Sequence, residues 1–573
     1  MPPILATLPH DILSPILDFL SAIEIGYLLF SGDSTIVSRF YSQSIIKRFE
    51  YRPQRPENAF WPSLVSHLPG LLVLGIMMPK NYEHMPLTMK GDCSLPSSIT
   101  EATLVYAQAS DHLSTIFRSL PHLRLLDLDG MRAPFSPTLD IGTECQVLCL
   151  RSFSSNLVHF GRLTKINMPL YLHAREISSL PSTLISLSIL SLLGVSSSTD
   201  ESDMPTELDD VVFPPHLTLL HAQWRSASYK LLPKLPPTIT ELHMEVPHQT
   251  TTASFPHALR HLSLTDYNSL QRDHWHSFFQ HLPTDLLTLE LQSAQTVTLP
   301  ADFDLPKSLT RLSLRQIHMC PSHFDALPPS LKYLACSIDR GLGTFTAPHL
   351  LRTIRFHNYT GHSILLDLSA NHVISSISCP YHALTTSQNM TQWPPTLTKL
   401  TTSLPCFDPL SFFAALPSCL LKLDVKFDEA FRLEYEDETS HQPRLRELFR
   451  WPPLLRHLRI RGIKGHKLYP LPSSLTSFET DRNQRWDTSA VLSCLPTTTI
   501  HLVIPGLTLY DEDVPQIPPR IVSLDDAVLK LTIIGCMLLP RTLRVLGRFA
   551  EAMTAEMEDA ISEWCSIKSP RKW

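Results

Sequence analysis

The chain has 573 residues, of which 43% are hydrophobic and 18% charged, and its formal net charge is −6. This composition excludes a wholly disordered chain, which would be poor in apolar residues and highly charged, and it carries no overall basic signature for nucleic acid. The chain also holds 95 leucines, and 49 prolines against only 17 glycines. Such a bias favours one short motif used many times.

Residues 1–50 predict a small helical unit. Asp11 lies near the start of the first predicted helix, where negative charge is favourable, and a second helix is predicted from Thr35 to Phe49. A unit this short buries little core alone, so it needs the following residues or a partner to cover its apolar faces. The apolar residues at helical spacing in the first helix are Leu8, Ile12, Leu13, Ile16, Leu17 and Leu20.

The start of this unit resembles the first half of an F-box. Leu8-Pro9 is followed by Asp11-Ile12-Leu13 and then by Glu24-Ile25. The resemblance implies docking onto the Skp-type adaptor, and through it the cullin, of an SCF-type (cullin–RING) ubiquitin ligase. The alternative is an N-terminal cap for the rest of the chain. Carried over by position, the adaptor-binding residues are Leu8, Pro9, Ile12, Leu13, Ile16, Leu17, Ile25 and Leu28.

Residues 60–548 repeat one phrase: an apolar residue, Pro, two variable residues, Leu, two variable, Leu, one variable, apolar. A clean copy runs from Leu305-Pro306 through Leu309 and Leu312 to Leu314. The phrase predicts about 20 units of 20–27 residues, of which the early ones are irregular. Since alternate residues of a strand share a face, Leu-x-x-Leu-x-Leu places its apolar side chains on one side of a short strand.

One such unit cannot bury its own apolar edge, but stacked units share a continuous core and a parallel sheet. The predicted fold class is therefore α/β: a leucine-rich-repeat solenoid, preceded by the F-box-like unit and closed by a C-terminal helix. The phrase resembles the Pro-containing FNIP-type repeats. Ordinary leucine-rich repeats have Asn or Cys after the strand, whereas Ile317 and Asp428 stand there in this chain. We therefore expect irregular turns and short outer helices.

Two segments depart from the repeat. Residues 191–212 are rich in Ser and acidic residues and predict a mobile loop. Between Gly547 and Ile567 apolar residues recur every three to four positions, which predicts an amphipathic helix. That helix, with the basic tail that completes residues 549–573, either caps the last repeat or binds a partner.

The sequence offers no catalytic or cofactor motif. It lacks a P-loop, G-x-G-x-x-G, G-x-S-x-G and H-E-x-x-H, and His274 and His276 would point to opposite sides of a strand. We therefore expect a protein that is not an enzyme, with no cofactor and no metal. The absence of a signal peptide or apolar span predicts no membrane association and a cytoplasmic or nuclear location.

Charged residues concentrate at the variable strand positions of the middle repeats. One reading is a solvated face with mixed charges. The other is a concave basic site for a protein substrate that is acidic or phosphorylated, because arginine clusters bind such groups. Nucleic acid is the weaker version of this second reading, since no interleaved aromatic set accompanies the charges. The predicted ligand-binding residues are Arg311, Arg315, Arg355, Lys399, Lys422, Lys426, Arg459 and Arg461.

Overall fold

A computed structural model describes the chain in two units, Met1–Thr288 and Leu289–Trp573. The F-box-like segment lies outside the described residues. The described residues are 48–51, 71–77, 95–105, 120–128, 145–150, 162–173, 177–193, 211–222, 231–245, 254–266, 278–299, 303–338, 343–359, 364–368, 371–380, 393–404, 409–427, 451–462, 471–481, 488–525, 527–546, 548–549, 557, 561 and 566–567.

The first unit is a parallel sheet in which each strand pairs with the next one along the chain. A short 3₁₀ helix, Leu232–Lys234, precedes β9. The strands are β1 (Arg48–Tyr51), β2 (Val73–Met77), β3 (Glu101–Val105), β4 (Leu125–Leu128), β5 (Val147–Leu150), β6 (Lys165–His173), β7 (Ser186–Leu193), β8 (Leu219–Ala222), β9 (Glu241–Glu245) and β10 (His261–Asp266).

The second unit repeats this arrangement and adds two small sheets beside the main one. β11 (Thr288–Thr298) begins at the unit boundary. The main parallel ladder comprises β12 (Arg311–Met319), β13 (Tyr333–Ile338), β15 (Thr353–Tyr359), β17 (Ser376–Pro380), β18 (Lys399–Leu404), β19 (Lys422–Phe427), β20 (His457–Arg461), β21 (Ser477–Thr480), β22 (His501–Val503), β24 (Ser523–Asp525), β26 (Val545–Leu546) and β28 (Ser566–Ile567).

The two small sheets are also parallel. β14 (Gly343–Thr346) pairs with β16 (Ile364–Asp367). In the other, β25 (Val528–Lys530) lies between β23 (Thr508–Tyr510) and β27 (Arg548–Phe549).

The following helices of the second unit are short, as expected from the irregular turns. The α-helices are α1 (Pro409–Ala414), α2 (Thr488–Cys494) and α3 (Ile533–Leu538), and the 3₁₀ helices are Pro321–His323 and Asp511–Gln516. Within the described ranges, no helix has the length and apolar character needed to cross a bilayer.

The Pro-x-x-Leu part of each repeat forms a tight turn. In one copy the amide of Leu309 donates to the carbonyl of Pro306 at 3.0 Å, and the strand begins two residues later at Arg311. The prediction that the first leucine lies on the strand is therefore wrong: this leucine closes the turn and points into the core. Leu309, Leu312 and Leu314 are all 0% exposed. The same turn recurs at Leu331, Leu351, Leu397, Leu420, Leu455, Leu475, Ile521 and Leu543.

Register between neighbouring repeats is set just after the first leucine. The carbonyl of Thr310 accepts two amides from the next repeat, those of Lys332 at 2.8 Å and Tyr333 at 3.1 Å. Because one carbonyl holds two consecutive amides, the next strand cannot slip by one residue without losing both bonds. A slip by one would also turn the leucines out of the core.

Hydroxyl groups form a second ladder, at the end of the strand opposite to the one where ordinary leucine-rich repeats carry Asn. The Oγ1 of Thr396 donates to the carbonyls of His372 at 2.9 Å and Ile374 at 2.8 Å in the preceding repeat. The residue before the first leucine fills this role in many repeats. Its other occupants are Ser98, Thr183, Thr238, Ser330, Ser474, Thr498 and Thr542. Cys419 donates in the same way through its thiol, and Asn371, three residues before Ile374, does so through its side-chain amide in the unit before β17.

Two sequence predictions need correction at their ends. Residues 191–193 of the predicted acidic loop belong to strand β7, and Val211 at its other end is 4% exposed; residues 194–210 lie outside the described ranges. The predicted C-terminal helix starts and ends in strands, β27 and β28, because their backbone groups pair with the strands beside them. Between them, Met557 and Ile561 are helical and Ile561 is fully buried.

We predict that the hydroxyl ladder contributes measurably to stability. Thr498→Val should lower the free energy of unfolding by about 1 kcal/mol, because the hydroxyl that donates to the carbonyls of Ser473 and Leu475 is lost. Urea unfolding followed by circular dichroism measures the change. Thr497→Val is the matched control, since this exposed neighbour in the same turn makes no such bond. Equal effects of the two substitutions would contradict the ladder's role.

Candidate functional site

The variable strand positions of the second unit form three columns across the ladder. The first column precedes the second leucine, the middle column lies between the last two apolar residues, and the third follows them. Register places Lys399 opposite Lys422 and Lys422 opposite His457 in the first column. We call the cationic part of these columns, from β12 to β20, the basic strand surface.

All eight predicted ligand-binding residues lie on this surface. Arg315, Arg355, Lys422 and Lys426 are exposed, and the others are half-buried. Their side chains leave the sheet on the face opposite to the leucines, because they alternate with buried residues such as Leu423 and Val425. The register therefore brings together residues that are up to 150 positions apart in sequence.

Three of the eight cations are neutralised by acids in neighbouring strands. Arg311 Nε lies 2.9 Å from Glu290 Oε1, and Arg459 Nη2 lies 2.9 Å from Glu479 Oε1. Arg461 Nη2 lies 2.9 Å from the Oδ1 of an aspartate on β19, Asp424. At these three positions the charges are mixed, since strand pairing sets each arginine against a carboxylate.

The other five cations are not paired in this way. Within the described ranges, no carboxylate oxygen lies within ion-pair distance of them. They are Arg315, Arg355, Lys399, Lys422 and Lys426.

The excess positive charge of this surface contributes to the pKa shifts of its titrating groups. The pKa of His357 falls below its ordinary 6.5, first because the ring is partly buried and then because Arg315 and Arg355 are close. Burial also lowers the pKa of Lys399, and Lys422 and Arg355 lower it further, while Asp424 opposes them. These groups therefore belong to one electrostatically coupled cluster.

The same coupling extends to β20. Burial lowers the pKa of His457, with further contributions from Lys422, His501 and Arg456. Lys422 thus links this histidine to the cluster around Lys399.

One residue of this surface was not predicted from the sequence. Tyr333, in the first column of β13, lies between two arginines: Arg311 Cζ is 3.9 Å from its ring centroid and Arg355 Cζ is 5.9 Å away. Aromatic faces attract guanidinium groups, and the contact helps to fix both arginines in place. The sequence signal was a half-exposed aromatic residue at a strand position otherwise held by polar residues.

The first unit carries a different cluster on the matching strand positions. His243 Nε2 lies 2.8 Å from Glu241 Oε1, and the rings of His221 and His243 are 5.4 Å apart. Burial and the neighbouring His243 lower the pKa of His221. In the described part of the chain, no three His, Cys, Asp or Glu side chains form a set that could hold a metal ion.

Comparisons with known proteins give a single kind of match. No protein-family model matches the chain, and no curated protein does. Among solved structures, the crystal structure of CroV588, a novel circular LRR protein, aligns with 90% of this chain and 85% of its own at 17% identity and a TM-score of 0.46.

We predict that the arginines of the cluster control the protonation of His357. In the double variant Arg315→Gln/Arg355→Gln, the pKa of His357 should rise towards its ordinary value while staying below it, because the charges are removed but the burial remains. Nuclear magnetic resonance titration of isotope-labelled histidines measures this, with the His357 signal assigned by its loss in His357→Gln. An unchanged pKa would contradict the coupling. Lys332→Gln/Arg352→Gln removes two exposed cations outside the columns and serves as the control.

Proposed function

We propose that the chain is a binding protein rather than an enzyme, and that the basic strand surface recognises a protein partner. The observation that carries this proposal is the cluster of Arg315, Arg355, Lys399 and Lys422, none of which has an ion-paired carboxylate among the described residues. Beyond the effect of burial, Arg315 and Arg355 lower the pKa of His357, and Lys422 and Arg355 lower that of Lys399. Keeping like charges together costs free energy, and an anionic ligand would repay it.

The chemistry of the surface favours an acidic or phosphorylated segment of a protein. Arginine binds carboxylate and phosphate through paired hydrogen bonds, and clustered arginines are a common means of recognising such motifs. Nucleic acid is less well suited, since single strands bind through several stacked aromatic residues and Tyr333 stands within an arginine stack.

For the role of the bound partner, we propose that the chain is a substrate-recognition subunit of an SCF-type ubiquitin ligase. The support is the F-box-like pattern of Leu8-Pro9 followed by Ile12-Leu13, placed ahead of leucine-rich repeats as in F-box proteins. On this proposal the N-terminal segment binds the Skp-type adaptor and the repeats bind the substrate. The second candidate is an interaction scaffold with no ligase link, in which residues 1–50 cap the repeats.

The adaptor proposal predicts a clean separation of binding from folding. The triple variant Leu8→Ala/Pro9→Ala/Leu13→Ala should lose retention on an immobilised adaptor–cullin pair, because the docking side chains are removed. Its circular dichroism spectrum should stay near that of the wild type, since the repeats contribute most of the signal. A matched control is Leu20→Ala, which changes the same predicted helix outside the adaptor-binding set. Loss of global folding in the triple variant, or no retention of the wild type, would favour the cap.

The repeat surface can be tested without knowing the ligase role. Reversing Arg315, Arg355, Lys399 and Lys422 to Glu should weaken binding to a partner recovered by affinity purification, and wild-type binding should weaken with salt, because exposed charges are screened over about 10 Å at 0.1 M salt. Titration calorimetry at two salt concentrations measures both effects.

The control for this charge reversal also changes four cations of the same unit, all of them exposed and outside the columns. It consists of Lys307→Glu, Lys332→Glu, Arg352→Glu and Arg520→Glu. Each such surface change should alter stability by only about 0.5 kcal/mol or less. Equal affinity of the two fourfold variants would show that recognition lies elsewhere.

A further inference from the structure

Strand β13 differs from the other strands of the basic strand surface, and we call its small residues Ala335 and Ser337 the β13 floor. Its surface-facing residues Ala335 and Ser337 are small and both are 0% exposed, so the larger side chains around them close over the strand. The two neighbouring strands both lose register here: β12 between Ser313 and His318, and β15 where it passes Ser337. Such bulges redirect side chains and recur beside functional sites.

The irregularity in β12 places two successive side chains on the outside. Arg315 and Gln316 are both exposed, and Gln316 has a φ of 58°. It is the one residue other than glycine with a positive φ in the described ranges. A left-handed conformation at such a residue costs about 1–3 kcal/mol and persists only where the surroundings hold it. Arg315 precedes this residue and lies within the same bulge, beside β13.

The floor itself carries an unsatisfied hydroxyl group. Ser337 Oγ is fully buried and has no hydrogen-bond partner among the residues that the structure describes. By strand alternation this side chain shares a face with Tyr333 and Ala335, while Cys336 points into the core. A buried hydroxyl without a partner is costly, and in a native protein it calls for a specific explanation, such as a bound group that completes its hydrogen bonding.

Two arginines flank this stretch of β13: register sets Arg355 opposite Ala335, and Arg315 lies in the β12 bulge between the partners of Ala335 and Ser337. Arg315 and Arg355 both act electrostatically on His357, which follows Arg355 by two residues and lies on the same face of β15. The ring centroid of Tyr333 lies 5.9 Å from Arg355 Cζ. The place therefore combines two guanidinium groups, an imidazole and a hydroxyl donor.

We propose that Arg315, Ser337, Arg355 and His357 form a binding site for the phosphoryl group of a phosphorylated residue in the partner protein. A phosphoryl group brings nearly two negative charges and three acceptor oxygens. Two arginines can engage those oxygens in pairs while the hydroxyl and the imidazole donate to the rest. A carboxylate has one charge and two oxygens, so it would leave part of this donor set unused. The proposal rests on the proposed function and names its ligand.

The site can be probed with three pools of immobilised degenerate peptides that differ only at a central position, which holds phosphoserine, serine or glutamate. The full-length chain should bind the phosphoserine pool about tenfold or more tightly than the glutamate pool, because charge-assisted hydrogen bonds discriminate strongly. Arg315→Gln/Arg355→Gln should abolish this preference. Ser337→Ala should reduce it about threefold or more, since a hydroxyl donor is lost. Lys332→Gln/Arg352→Gln should retain it.

Three results would overturn the site: equal binding of the glutamate and phosphoserine pools, a phosphoserine preference that survives Arg315→Gln/Arg355→Gln, or an unchanged preference in Ser337→Ala. Circular dichroism and the urea midpoint of each variant separate loss of the site from loss of the fold. The proposed function fails separately. If the fourfold charge reversal weakens partner binding but the pools bind equally, the results support binding by the basic strand surface and contradict the phosphoryl site.

Discussion

The fold depends on the hydrogen bonds that fix the strand register of each repeat against the preceding one. One carbonyl after the first leucine holds two successive amides of the following repeat, as Thr310 holds those of Lys332 and Tyr333. The Pro-x-x-Leu turn just before it fixes where that carbonyl points, because proline restricts its own φ and the leucine amide closes back onto the proline carbonyl. These two interactions, repeated along the chain, align the residues of every column on the strand surface.

This arrangement separates the residues that build the fold from the residues that can recognise a ligand. The turn, the leucines and the hydroxyl ladder occupy fixed places in each repeat and are turned towards the core or the preceding repeat. The positions between the leucines have no such role in the fold, so the residue type found there can change from strand to strand without loss of stacking. Lys399 and Lys422 can therefore stand side by side although burial and mutual repulsion lower the pKa of Lys399.

Much of the repeat could be read from the sequence, because its leucines recur at a fixed interval and period 2 identifies a strand. The hydroxyl ladder could have been found as well, since Ser or Thr precedes the first leucine in many copies; it was missed because the expected ladder lies at the other end of the strand. The ion pairs were harder. Arg461 meets Asp424 across 37 residues, which exceeds the 20–27-residue period and so hides the register. The bulge at Arg315 and Gln316 leaves no periodic signal at all.

The departures from the repeat are therefore the informative places in this chain. Elsewhere on the surface an arginine pairs with an acid of the neighbouring strand, as Arg459 does with Glu479. Around β13 the pattern breaks in two ways, through the β12 bulge that contains the left-handed Gln316 and through a buried hydroxyl with no partner among the described residues. Each costs stability, and stacking alone requires neither of them. Consistent local rules specify the solenoid, so a cluster of exceptions to them marks the part of the surface where binding, and not folding, accounts for the sequence.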